Sequence, residues 1–185
     1  LELSQYKQGN ACNSEYLDSF CHPSDKSVLI HGDINLVTNE MIHRILHERF
    51  GIDSNIETID IVSGGAPCES FSMAGQRKAN DERDDLFSNI CRIARSVRSK
   101  AILFENVKGM FSKSKDGVKG AIFEYICDTF DDTTPEVSYR LMCRDTEKVL
   151  LRACDYGVPQ MRERLFLVSI RRDLENVYEY PDPEF

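Results

Sequence analysis

Short apolar runs alternate along this chain with stretches whose apolar residues recur at helical spacing. Residues 59–62, 101–104, 137–142 and 165–170, with a shorter run at 28–30, are dominated by β-branched and bulky apolar side chains and predict five strands. Residues 39–50, 85–97 and 118–130 carry the helical pattern. Strands separated by helices predict an α/β fold with a mostly parallel sheet, covered by helices on both faces because each crossover lays a helix on the sheet. The 185 residues fit one domain with a real core, and no internal repeat interrupts the pattern. Segments 72–83 and 112–117 are rich in Gly, Ser, Lys and Asp and read as loops able to close over a substrate.

Chemistry collects at the boundaries of three of these runs. The first run passes through Gly64-Gly65-Ala66-Pro67 to Cys68-Glu69-Ser70-Phe71-Ser72, so glycines end the strand and Pro67 fixes the backbone beside a thiol. The carboxyl end of a strand is where open α/β sheets bind ligands, which makes Cys68 the candidate nucleophile. A lone cysteine is more often a small core hydrophobe, and two further segments raise its standing. The run at 101–104 delivers Glu105-Asn106-Val107. In apolar surroundings a desolvated Glu105 carboxyl would hold its proton and donate to a ring nitrogen. Gln160-Met161-Arg162-Glu163-Arg164 precedes the last run. A period of two puts Arg162 and Arg164 on one face of an extended segment, able to meet a carboxylate, a phosphate or a base edge.

In this order the three segments resemble the DNA (cytosine-5) methyltransferase family. Pro67-Cys68-Glu69-Ser70-Phe71-Ser72 followed by Ala74-Gly75 is similar to its Pro-Cys loop, Glu105-Asn106-Val107 to its Glu-Asn-Val signature, and Gln160, Arg162 and Arg164 to its Gln-x-Arg-x-Arg signature. Gly32-Asp33-Ile34 resembles the segment that meets the adenine of S-adenosylmethionine. Residues 83–87 resemble the segment whose leucine, here Leu86, lines the cofactor pocket, and Leu1-Glu2-Leu3-Ser4 the one whose glutamate holds the ribose. Glu69 stands where the family usually has glutamine and Asp84 where it usually has glycine, departures that remove no catalytic group. The family's Phe-x-Gly-x-Gly loop, target-recognition domain and closing helix have no counterpart here. The resemblance therefore implies that residues 1–185 are the central part of one catalytic domain, an incomplete Rossmann-like S-adenosylmethionine-dependent methyltransferase fold.

It also implies roles. Cys68 would attack carbon 6 of a cytosine, Glu105 would give a proton to the ring nitrogen, and Arg164 with Arg162 would hold the ring carbonyl and orient Glu105. S-adenosylmethionine would be held by Glu2, Asp33, Ile34, Pro67 and Leu86. Ser70, Ser72 and Gln160 would contact double-stranded DNA whose target cytosine is flipped out of the stack. Asp33 also suits a solvent-facing turn acid, and the serines suit local turn bonding. Asn106 is expected to brace the loop. Two other readings stay open: a tRNA cytosine-5 methyltransferase, and a non-catalytic half of a split enzyme that needs a second polypeptide.

Charge tempers the nucleic-acid reading, since a net −8 opposes phosphate binding. Arg92, Arg95, Arg98 and Lys100, and then Lys113, Lys115 and Lys119, are clusters that either face phosphates or form solvated surface. A missing basic recognition domain would explain the imbalance better. Seven cysteines without C-x-x-C spacing argue against zinc and against a disulfide scaffold. They point to a reducing compartment, cytosolic and nucleoid-associated in a prokaryote or nuclear in a eukaryote. His43 and His47, four apart on a helical stretch, are read as a surface accident, and no metal is expected. No apolar run is long enough for a membrane span, and the polar first residues predict no signal peptide.

Overall fold

The structure, a computed structural model, describes residues 28–30, 32–53, 58–66, 86–115 and 117–185, and the chain divides into two units, Leu1–Glu57 and Thr58–Phe185. In the first unit a 3-10 turn, Ile34–Leu36, precedes helix α1, Asn39–Phe50, whose limits coincide with those the pattern predicts. Its ends explain the match. The Thr38 hydroxyl accepts from the Met41 N–H at 3.2 Å. Gly51, at φ 69°, turns its N–H to the His47 carbonyl while Ile52 N–H reaches back to Leu46, so both termini are capped. Residues 28–30, expected as a strand, have no strand pairing. An apolar run becomes a strand only against a partner, and no other strand is described in this unit.

The second unit is built on a five-stranded sheet: β1 (Ile61–Gly64), β2 (Ala101–Asn106), β5 (Tyr139–Leu141), β6 (Leu150–Arg152) and β7 (Glu163–Arg171). A small hairpin, β3 (Ser114–Lys115) with β4 (Val118–Lys119), stands apart from it. The α-helices described in this unit are α2 (Ser88–Ser96) and α3 (Ala121–Phe130). The expected helix at 118–130 starts late because residues 118 and 119 pair in the hairpin and Gly120, at φ 81°, turns the chain into the helix.

The spatial order is β1-β2-β7-β5, with β6 also on β7. β1 is parallel to β2, while β7 is antiparallel to β2, β5 and β6. Four strands therefore share one direction, as the alternation predicts, and the single reversed strand lies among them. Three of the four pairings are antiparallel for that reason alone. β5 and β6 are two pieces of one interrupted edge strand. Met142 N–H still bonds Val168 O and Phe166 N–H bonds Val149 O, but the residues between loop out over a turn on Asp145. The interruption leaves the Phe166 carbonyl to the Tyr180 hydroxyl, which donates to it at 2.9 Å.

Register explains the core. Ile102 opposes Ser169, Phe104 opposes Leu167 and Asn106 opposes Leu165, so these six share one face of the sheet, and all are buried. Phe87, Cys91 and Ala94 from α2 and its preceding turn, with Ile122, Ile126 and Phe130 from α3, close over that face. Phe104 and Phe130 lie 5.2 Å apart between ring centroids. At the far end Tyr139 OH donates to Ser99 O at 2.8 Å, and Ser169 Oγ donates to Phe130 O at 3.0 Å, so buried polar groups are paired.

Two core thiols make stability depend on alkali. Burial pushes the Cys91 and Cys127 thiols from 9.0 up to about 12. The folded state then holds protons that the unfolded chain releases, so this contribution is complete below about pH 9 and is lost as pH rises toward 12. Unfolding free energy measured by urea titration is expected to fall above pH 9 by ~1.4 kcal/mol per pH unit per thiol. A Cys91→Ala/Cys127→Ala variant that falls as steeply would contradict this origin.

Candidate active site

Three chain segments meet at one edge of the sheet. β1 and β2 end there, and β7, being reversed, begins there. That reversal brings the arginine pair at the start of β7 to the carboxyl ends of the other strands, the edge at which such sheets place ligands. Glu105 opposes Phe166 in the antiparallel register, so Arg164, two residues earlier, is its diagonal neighbour on the same face.

The side chains meet accordingly. Arg164 Nε lies 3.0 Å from Glu105 Oε1, and Arg162 Nη2 lies 3.6 Å from the same oxygen. Arg164 also donates from Nη1 to the Glu163 carbonyl at 2.7 Å, which fixes its guanidinium. Glu105 is 38% exposed, so its carboxyl sits in an open, cationic setting instead of the apolar one that the sequence reading required for a desolvated acid. Glu163 points to the other face and pairs with Lys108 at 3.1 Å.

β1 leads into this group from the second side. A Cβ placed on Gly65 would lie 3.1 Å from the Glu105 carbonyl and 3.3 Å from its Oε2, so the Gly65 backbone packs on the glutamate. Asn106 is buried, donates from Nδ2 to Ala66 O at 3.4 Å and accepts from Val107 N–H at 2.8 Å. It thus ties Ala66 to the end of β2.

The other expected residues are spread more widely. Asp33 is exposed, and its carboxylate accepts from Asn35 N–H at 2.9 Å as the cap of the 3-10 turn; Ile34 beside it is half-buried. These belong to the first unit. Leu86 is half-buried in the turn before α2, and Gln160 is exposed in the loop before β7. Glu2, Pro67, Cys68, Ser70 and Ser72 lie outside the described residues. Sequence reasoning passed over Gly65 and Lys108. The double glycine was the available signal for the first, whereas nothing local marks the second.

Three residues of the basic clusters are engaged inside the unit. Arg95 meets Asp132 at 2.5 Å, Lys100 meets Asp60 at 2.6 Å, and Lys115 Nζ sits 3.8 Å over the Tyr125 ring. These three side chains have partners within the unit. His43 and His47 lie on one face of α1, and among the described residues no three ligand-type groups converge. No described helix is long and apolar enough to cross a membrane.

The family model described as C-5 cytosine-specific DNA methylase matches residues 19–185. The chain belongs to this family. Among curated members it is 36% identical over 141 residues to the Type II methyltransferase M.BspRI of Lysinibacillus sphaericus, covering 76% of this chain and 30% of that protein. It is 35% identical to M.AquIA of Picosynechococcus sp., covering 84% and 58%, and 41% identical to M.FnuDI of Fusobacterium nucleatum, covering 67% and 33%. The chain thus spans less than two thirds of these methylases. A crystal structure described as a DNA modification methyltransferase encoded within a prophage, from E. coli, matches 83% of this chain and 36% of that one with a TM-score of 0.54 and 22% identity. That likeness fits the mixed sheet with its single reversed strand to a Rossmann-like methyltransferase fold.

Proposed function

We propose that the full-length protein transfers a methyl group from S-adenosylmethionine to carbon 5 of a cytosine in DNA, through a covalent adduct on Cys68. The observation that carries this reading is the convergence of Glu105, Arg162 and Arg164 at the sheet edge where the chain leaves β1 toward Cys68.

Carbon 6 of cytosine is a poor electrophile, and the chain's groups would share the work of activating it. A free thiol with a pKa of ~8.5 is mostly protonated at neutral pH, so Cys68 must give its proton to solvent as its sulfur bonds carbon 6. The electron pair displaced from the ring double bond moves toward the ring nitrogen, where a proton that Glu105 takes up from solvent and passes on neutralises it. Arg164, already on Glu105 Oε1, keeps that carboxyl in place, and Arg162, 3.6 Å from the same oxygen, would turn its remaining N–H groups to the ring carbonyl. Carbon 5 is then nucleophilic. When bound, S-adenosylmethionine supplies the electrophilic methyl group. Release of the carbon 5 proton to solvent and return of the ring-nitrogen proton to Glu105 restore the double bond and expel the Cys68 thiolate.

The residues present suit that methyl donor chemically. In the first unit Asp33 keeps a solvent-facing carboxylate able to accept from an amino group, with Ile34 beside it in the chain; in the second unit Leu86 is a half-buried apolar side chain. The target must leave the base stack to reach a thiol, at a cost of a few kcal/mol. Incubating the full-length protein with methyl-labelled S-adenosylmethionine and either DNA or tRNA tests the reading. Label on cytosine carbon 5 of DNA is the expected result; label on tRNA alone, or on neither, would refute it.

A further inference from the structure

Two adjacent glycines end β1, and the structure gives them different neighbours. A Cβ on Gly64 would come 2.7 Å from Ile90 Cδ1, so that glycine lets α2 lie close on the strand. Among the described residues, a Cβ on Gly65 would meet Glu105, at its main-chain carbonyl and at Oε2. Gly65 does not occupy the left-handed region of backbone space, so its own conformation does not require glycine. What favours glycine there is Glu105, whose main-chain carbonyl at 3.1 Å and carboxyl oxygen at 3.3 Å both crowd the position. The main chain cannot drift away to make room, because Asn106 Nδ2 holds the next carbonyl, that of Ala66, to the end of β2.

We propose that Gly65 is a positioning residue for the reaction. Its bare backbone forms the wall against which Glu105 Oε2 rests, so that Oε1 stays on Arg164. The acid is thereby confined between a peptide on one side and two guanidiniums on the other. A methyl group at position 65 leaves the β2 carbonyl fixed in the sheet and pushes the movable partner, the carboxyl, away from Arg164. The inference rests on the proposed role of Glu105, and the experiment separates the two.

In the full-length protein, Gly65→Ala is expected to lower kcat by ~10–100-fold, as displacement of a reacting group by a fraction of an ångström to an ångström does, with KM for both substrates within about threefold. The melting temperature should stay within about 2 °C of the parent, whereas Gly64→Ala, which presses on α2, should melt lower with kcat retained. The discriminating step is a double-mutant cycle with Glu105→Asp, whose shorter side chain withdraws the carboxyl from the added methyl. Adding Gly65→Ala to Glu105→Asp should cost less than about threefold, a coupling that a framework role would not produce. Equal losses in both backgrounds, full activity in Gly65→Ala, or failure to fold whichever residue stands at 105 would each overturn the inference. Turnover in a Cys68→Ala variant would instead overturn the function on which it rests.

Discussion

Replacing Cys68 by alanine in the full-length protein is expected to abolish methyl transfer, with a loss of ~10⁴-fold or more and a melting temperature within about 2 °C of the parent. The size of the effect follows from what the sulfur does. No other group proposed for the site can add to carbon 6, and without that addition carbon 5 never becomes nucleophilic enough to take a methyl. The small structural effect follows from the core around Phe104 and Phe130, which among the described residues β2, β7, α2 and α3 assemble. Methyl transfer is read with labelled S-adenosylmethionine and stability by thermal melting. Turnover close to the parent's would remove Cys68 from the mechanism.

Glu105→Gln is the second large effect, roughly 10²–10³-fold in kcat, with affinity for S-adenosylmethionine changed less than about threefold. The amide keeps the shape of the carboxyl and an oxygen for Arg164, so the strand edge and its guanidinium remain in place. It cannot pass a proton to the ring nitrogen in the same way. Turnover and cofactor binding, measured separately by single-turnover kinetics and by titration, distinguish the roles. A parallel loss in both would mean that Glu105 holds the sheet edge together and moves no proton.

The pattern of apolar runs carried the framework well where an element's signals are local. α1 is bounded by Thr38 and Gly51, both visible as cap residues, and its limits match the prediction. β2 and β7 are unbroken apolar runs and form the centre of the sheet. The direction of β7 was not legible, because the run at 165–170 reads the same whichever way it travels, and its reversal is set by pairing with β2 and the edge strand. β6 was missed because Leu150–Arg152 is too short for a periodic signal and is strand only through its bonds to β7. The run at 28–30 misled for the opposite reason, having strand composition but no described partner.

The candidate site divides in the same way. The spacing of Arg162 and Arg164 predicted one shared face, and the structure puts both on Glu105. That Glu105 would sit open to solvent among cations was not legible, since its neighbours come from strands about 60 residues apart in the chain. The basic clusters were ambiguous for the same reason. Arg95 finds Asp132 and Lys100 finds Asp60 only after folding brings distant segments together.

The most direct test of the account is covalent capture. Full-length protein mixed with S-adenosylmethionine and duplex DNA carrying 5-fluorocytosine at a methylated site should form an adduct that survives denaturation, because fluorine at carbon 5 cannot leave as a proton does and the thiolate stays attached. Proteolysis and mass spectrometry should place the DNA on the peptide containing Cys68, and Cys68→Ala should form none. Methylation of ordinary DNA with no such adduct, or an adduct on another cysteine such as Cys143 or Cys154, would contradict the mechanism.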